Sequence, residues 1–250
     1  MNSVLSEISS IKRENEKQLS LITSFDYNYG ELDTDKMTVP VSVKIVPKAV
    51  REDTALTLEF GGRTVEMKKS DSSTEFTAEF EAGLFEQKGD SDVKLVITKD
   101  GTSETEALDW SLGLLHKQFL PFVAAYFAFD DITCSEQNGI TVEGNVISHI
   151  DDENAERFKS TKLLFKINGE VLSEDDINGD KIFNVNKTFP GYGIGDTFEL
   201  CLEAADELGF THEALLKRVQ FGADGALTEE TELEDNIVVI KDKKGNVIYS

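Results

Sequence analysis

Short runs of strict alternation constrain this chain more than any other feature. Met37, Val39, Val41, Val43 and Ile45 interleave with Thr38, Pro40, Ser42 and Lys44, and Phe198, Leu200, Leu202 and Ala204 do the same far downstream. A period of two puts every apolar side chain on one face, so each run predicts a half-buried strand. Pro40 donates no ladder hydrogen bond and points to a sheet edge. Between these runs lie Leu56, Leu58 and Phe60 before Gly61-Gly62, then Val65 and Met67. Phe76, Ala78 and Phe80 come next, followed by Val93, Leu95 and Ile97 before Asp100-Gly101, then Leu108 and Trp110. Short strands with glycine turns at this spacing predict a β-sandwich over residues 26–112.

After a joint at 111–118 the pattern restarts. The apolar run Phe119–Phe129 reads as a strand buried on both sides or packed against the first domain. Ile140, Val142 and Val146 follow, then Leu163, Phe165 and Ile167, with Asn168-Gly169 turning the chain into Val171. Ile182, Phe183 and Val185 continue it, and a hairpin of Ile237–Ile240, Lys244-Gly245-Asn246 and Val247–Tyr249 closes it. Three matches tie the halves together. Gly62 aligns with Gly169 at an offset of 107, Gly101 with Gly209 at 108, and Met37-Thr38-Val39 with Ile140-Thr141-Val142. A duplicated fold with drifting loops explains this order, and residues 118–250 are expected to form a second, larger sandwich.

The first 25 residues follow another rhythm. Met1, Val4, Ile8, Ile11, Asn15, Gln18, Ile22 and Phe25 step by three and four, as coiled-coil core positions do. Residues 1–25 are therefore expected to form a helical stem. Asn15 and Gln18 would fix register, and the seam would support self-association. A lone amphipathic helix lying on the first sandwich would bury the same stripe.

The net charge is −23 and the pI about 4.4. Phosphate binding needs stripes of Lys and Arg, and none exists, so nucleic acid and anionic membranes are not expected partners. The plain reading of the charge is solubility; the sharper one is attraction to cations or a basic partner. No run of 18 apolar residues is present and residues 1–25 are too polar for a signal peptide, so no membrane insertion is expected. A seam that begins at Met1 without lead-in suggests the trimmed outer portion of an anchored protein. Cys134 and Cys201 have no CxxC spacing, which leaves a disulfide or two free thiols open.

The strand count, the spacing and the late segment LCLEAADELGF resemble bacterial immunoglobulin-like domains of surface proteins, over residues from about 24 to 222. The Cys…Trp…Cys arrangement of antibody domains is absent. The layout also looks like the outer portions of membrane-anchored surface proteins of Gram-positive gut bacteria. The resemblance implies tandem sandwiches at the cell surface and no particular activity.

Catalytic signals are missing from the sequence. His116, His149 and His212 have no nucleophile elbow to serve. Cys201 alternates with Glu199 and Glu203, whose charge dulls a thiol. Forty-eight acids make any carboxylate pair uninformative. No metal or other cofactor is expected, with Ca²⁺ as the weak candidate. Asp176, Asn178 and Asp180 copy the first ligands of an EF-hand loop, but Lys181 and Lys187 stand where that loop needs Gly and Glu. An acidic turn explains the segment, while Asp151, Asp152 and Glu153 offer a looser alternative. Tyr192, in Phe189-Pro190-Gly191-Tyr192-Gly193, sits on an inter-strand turn where binding aromatics gather, or packs back on its own domain.

These readings lead to a mainly β fold: an N-terminal amphipathic helix and two immunoglobulin-like β-sandwich domains. The expected role is a non-enzymatic, extracellular interaction or spacer module with an unknown protein or glycan partner. A phage baseplate or fibre subunit, or an accessory carbohydrate-binding domain, are the alternatives.

Overall fold

The computed structural model describes residues 19–85, 92–113, 115–135, 137–148, 156–177, 181–222, 227–230 and 237–250. Side chains of 129–130, 227–230 and 237 are left aside. The fold is mainly β, with four antiparallel sheets. The chain divides into unit 1, Met1–Phe119, and unit 2, Leu120–Ser250.

Unit 1 contains β1 (Ile22–Tyr29), β2 (Thr38–Pro47), β3 (Ala55–Phe60), β4 (Arg63–Glu66), β5 (Lys68–Lys69), β6 (Phe76–Gly83), β7 (Asp92–Lys99) and β8 (Thr102–Ser111). It ends in the short helix α1, Leu115–Phe119. One sheet has the order β1-β2-β6-β5 and the other β4-β3-β7-β8. The alternation read from the sequence sets their facing sides. Val39, Val41, Val43 and Ile45 of β2 are buried, as are Leu56, Leu58 and Phe60 of β3 and Val93, Leu95 and Ile97 of β7. Phe80 on the first sheet meets Phe60 on the second, ring centroids 4.8 Å apart, so the two layers share one core.

Unit 2 contains β9 (Ala125–Ser135), β10 (Gly139–Ser148), β11 (Phe158–Ile167), β12 (Glu170–Asp176), β13 (Ile182–Phe189), β14 (Thr197–Asp206) and β15 (Thr211–Phe221). Three further strands follow: β16 (Leu227–Glu230), β17 (Ile237–Lys241) and β18 (Val247–Tyr249). The order β13-β10-β9 faces β12-β11-β14-β15-β17-β18, and β16 pairs with β15 beside β17. Phe165, Phe189 and Phe198 join the layers inside one core with Ile140, Val142, Leu200 and Leu202.

The two strand orders correspond. β9, β10 and β13 repeat β1, β2 and β6, while β12, β11, β14 and β15 repeat β4, β3, β7 and β8. The register agrees in detail. Ile45, Val43, Val41 and Val39 of β2 face Phe76, Ala78, Phe80 and Ala82. Val146, Gly144, Val142 and Ile140 of β10 face Phe183, Val185, Lys187 and Phe189. Gly62 and Gly169 both occupy the turn after the first strand of the second sheet, each at positive φ, where a glycine carries no Cβ penalty.

Four expectations are corrected. Pro40 does not mark a sheet edge: β2 lies between β1 and β6, with Pro40 opposite Glu81 of β6. The helix does not run to residue 25. Val4, Ile8, Ile11, Asn15 and Gln18 lie outside the described residues, but Ile22 and Phe25 belong to β1. Phe25, Tyr27 and Tyr29 obey a period of two and lie opposite Ile45, Val43 and Val41 of β2. The apolar run after residue 118 is not one strand: Phe119 ends α1, and β9 begins only at Ala125. Ser173–Asp176 is strand rather than turn, because these residues pair with Phe165–Lys162 of β11.

Candidate functional site

Unit 1 closes one open side with aromatic rings. β1 and β8 are edge strands of opposite sheets. Trp110 of β8, buried, stacks on Tyr27 at 4.8 Å and touches Phe25 at 5.6 Å. Its indole Nε1 donates to the Tyr29 hydroxyl at 2.8 Å, and burial pushes the Tyr29 phenol up. Tyr29 also meets Phe119 edge-on at 5.8 Å. Tyr27 is the ring of this stack that solvent reaches best. Most of the stack is packing, and Trp110 has no exposed face to offer a sugar.

Unit 2 links its β12 and β13 strands with charge. Lys187 takes the place that Phe80 holds in unit 1. Its Nζ donates to Asp175 Oδ1 at 2.6 Å and Ser173 Oγ at 3.3 Å, above the Phe165 ring at 5.2 Å. A cation over a ring face gains from the ring quadrupole. The pair ties β13 to β12 across the gap between sheets.

The outer face of the larger sheet carries a second ionic system. Leu164, Cys201 and Leu215 form an apolar row across β11, β14 and β15. Glu213 accepts from Lys166 at 2.5 Å and from Lys241 at 2.9 Å. Burial pushes the Glu213 carboxyl up, but the two ammonium hydrogen bonds outweigh it and hold the group below the usual carboxylate range. Burial likewise drives the Cys201 thiol up, to about 12. The sequence flagged the acids beside Cys201 but not its burial, which is the larger cause. Cys134 is also a free thiol, raised by burial and by Asp196.

At the β14–β15 turn a buried Asp206 accepts from Phe210 N–H at 2.9 Å and lies 2.9 Å from His212 Nε2. Both side chains are almost fully buried, and Phe158 packs edge-on against the imidazole at 5.6 Å. This pair shapes the turn.

Each unit has a shallow polar hollow in the same topological place. In unit 2 it measures 360 Å³ and is lined by Asn168, Gly169, Thr197, Glu199, Arg218 and Gln220. In unit 1 it measures 410 Å³, between the Gly61-Gly62 turn and the start of β7 at Asp92 and Lys94. Arg218 is already held by Glu199 at 2.5 Å, and Asn168 by Asp196 at 2.7 Å.

The residues singled out from the sequence are scattered. Tyr192 is half-buried and packs against the core of unit 2. Its turn is pinned, since Asp196 Oδ2 accepts from Gly193 N–H at 2.8 Å. Asp176 is exposed at the end of β12, while Asn178, Asp180, Asp151, Asp152 and Glu153 lie outside the described residues. No three His, Cys, Asp or Glu side chains converge on a metal-sized site among the described residues. Nor is any described helix long and apolar enough to cross a membrane.

What sequence reading missed is a difference between the units. In unit 1 the chain leaves β4 at Glu66 and crosses to the other sheet, where β5 lies on β6 with Lys68 opposite Thr77 and Lys69 opposite Phe76. In unit 2 the chain stays on β11 through Asp176, and Ile177 N–H still bonds Thr161 at 3.0 Å. Only residues 178–181 remain before β13 begins. No equivalent of β5 forms among the described residues, and β13 is an open edge. By register, β5 would cover Phe183 and Asn184. The adjoining Ile182 is 66% exposed.

No family profile matches the chain, and no curated protein matches it. Among solved structures, a Ca²⁺-stabilised adhesin described as helping an Antarctic bacterium reach out and bind ice aligns with 91% of this chain and 72% of its own. The identity is 13% and the TM-score 0.25, too loose an overlay to assign a shared fold or role.

Proposed function

We propose that the chain is a non-enzymatic interaction or spacer module, displayed outside the cell and built from two immunoglobulin-like sandwiches. The observation that carries this reading is the strand order. Lettered as in immunoglobulin domains, β1-β2-β6-β5 against β4-β3-β7-β8 is A-B-E-D against C′-C-F-G, and unit 2 repeats it without a D strand among the described residues. Rigid sandwiches present edges and end loops to partners. The polar hollows and pinned turns offer recognition groups rather than a reaction centre.

Protease shaving of intact cells that express the natural gene tests display. Peptides of this chain should appear in the released fraction while a cytosolic marker stays inside. Recovery of the chain only after lysis would sink the reading.

A further inference from the structure

The edges of the two units differ in how they are protected. Exposed strand edges invite pairing with another chain, and proteins guard them with charge, proline, brevity or cover. β1 carries Asp26. β8 carries Glu104, Glu106 and Asp109. β12 carries Glu170, Glu174, Asp175 and Asp176, and β18 has three residues. In unit 1, β6 is covered by β5. Among the described residues β13 has no cover, holds no proline and is not short. It spans eight residues with no register shift, and its one charge, Lys187, is already held by Asp175.

We propose that the free edge of β13 accepts an extended, lysine-bearing segment of a partner protein as a fourth strand of the β13-β10-β9 sheet. This deepens the interaction reading above and rests on it. Unit 1 supplies the pattern, since its own fourth strand is Lys68-Lys69 on β6. The incoming backbone would pair along Ile182–Asn184, where the equivalent edge of unit 1 is filled. An apolar side chain at alternate positions would cover Phe183, which is only partly buried. The charge of the surroundings selects the partner. β12 of the facing sheet carries four acids, and of these Glu174 and Asp175 are neutralised within the unit by Lys162 and Lys187. Asp176, at the end of β12 nearest in sequence to β13, lies opposite Lys162 in register but forms no ion pair among the described residues and is the acid left to receive a cation. A second copy of a chain carrying −23 would be repelled.

The probe is a capped peptide alternating valine and lysine, about nine residues long, enough at roughly 3.3 Å per residue to span β13. Its fluorescence anisotropy is titrated with the full chain. Saturable binding is expected, weakened about tenfold or more by Ile182→Lys, which adds a like charge at an exposed position. A milder loss is expected for Asp176→Lys. Replacing the peptide lysines by glutamates should abolish binding. Circular dichroism checks that the variants stay folded.

Absence of saturation, equal binding by the glutamate peptide, or binding indifferent to Ile182→Lys would each overturn the proposal. So would self-association abolished by Ile182→Lys, because a second copy would then own the edge. Cell shaving is independent of this titration, so failure of strand addition and failure of surface display are read separately.

Discussion

Unit 1 and unit 2 share a strand order yet bridge their sheets by different physics. Where unit 1 packs Phe80 against Phe60 and stacks Tyr27 on Trp110, unit 2 sets Lys187 over Phe165 and locks it to Asp175. Aromatic packing is indifferent to salt and pH. Ion pairs are screened, titrate, and contribute only what survives their desolvation. The same scaffold thus yields one unit whose stability tracks buried apolar area and another whose stability is partly electrostatic.

The strongest way to break this contrast is to remove its aromatic pole. Trp110→Ala should cost about 3–5 kcal/mol by cavity formation and lower the unit 1 transition in calorimetry. Loss of the unit 2 transition instead would refute the assignment. Next comes Asp206→Ala, which strands the buried His212 ring and the Phe210 N–H. A cost of about 2–4 kcal/mol, confined to unit 2, is expected in denaturant melts. A neutral result would mean that water reaches the turn.

Glu213→Gln sharpens the electrostatic half, with about 1–2 kcal/mol lost at neutral pH. The carboxyl is depressed in the folded chain, so its contribution is complete above its unfolded value, about 4.3. It disappears as pH falls through the lower folded value. Wild type should therefore lose stability along this acid limb more steeply than the variant, and parallel limbs would rule the contribution out. Tyr29→Phe, which deletes the acceptor of the Trp110 indole, should cost about 1 kcal/mol with no pH dependence below 9. The smallest effect is kinetic. With its thiol raised to about 12, Cys201 should resist iodoacetamide at pH 8 while Cys134 reacts faster, read by mass spectrometry. Equal rates would show that Cys201 is reached by solvent.

Much of the fold was legible because alternation survives wherever one strand face is buried. β2, β7 and β14 could be read directly, and the glycine turns at Gly62 and Gly169 marked matching corners. The start of β1 was obscured because Phe25 and Ile22 satisfy a heptad as well as a strand, and only pairing with β2 decides between them. β12 was obscured because Glu174, Asp175 and Asp176 are poor strand formers, held extended by register with β11. The candidate site was hardly legible. An open edge is a missing neighbour, and the sequence of β13 reads the same whether or not a fourth strand lies beside it.

The aromatic seam has a mechanical consequence. The first and last strands of unit 1 lie in different sheets, joined by Trp110 with Phe25, Tyr27 and Tyr29, and by Glu106 accepting from Leu21 N–H at 2.7 Å. No backbone ladder links them. Tension applied across this unit is therefore borne between its end strands by sliding rings and one carboxylate. Its resistance to pulling combines these side-chain contacts with the backbone ladders that hold β1 to β2 and β8 to β7.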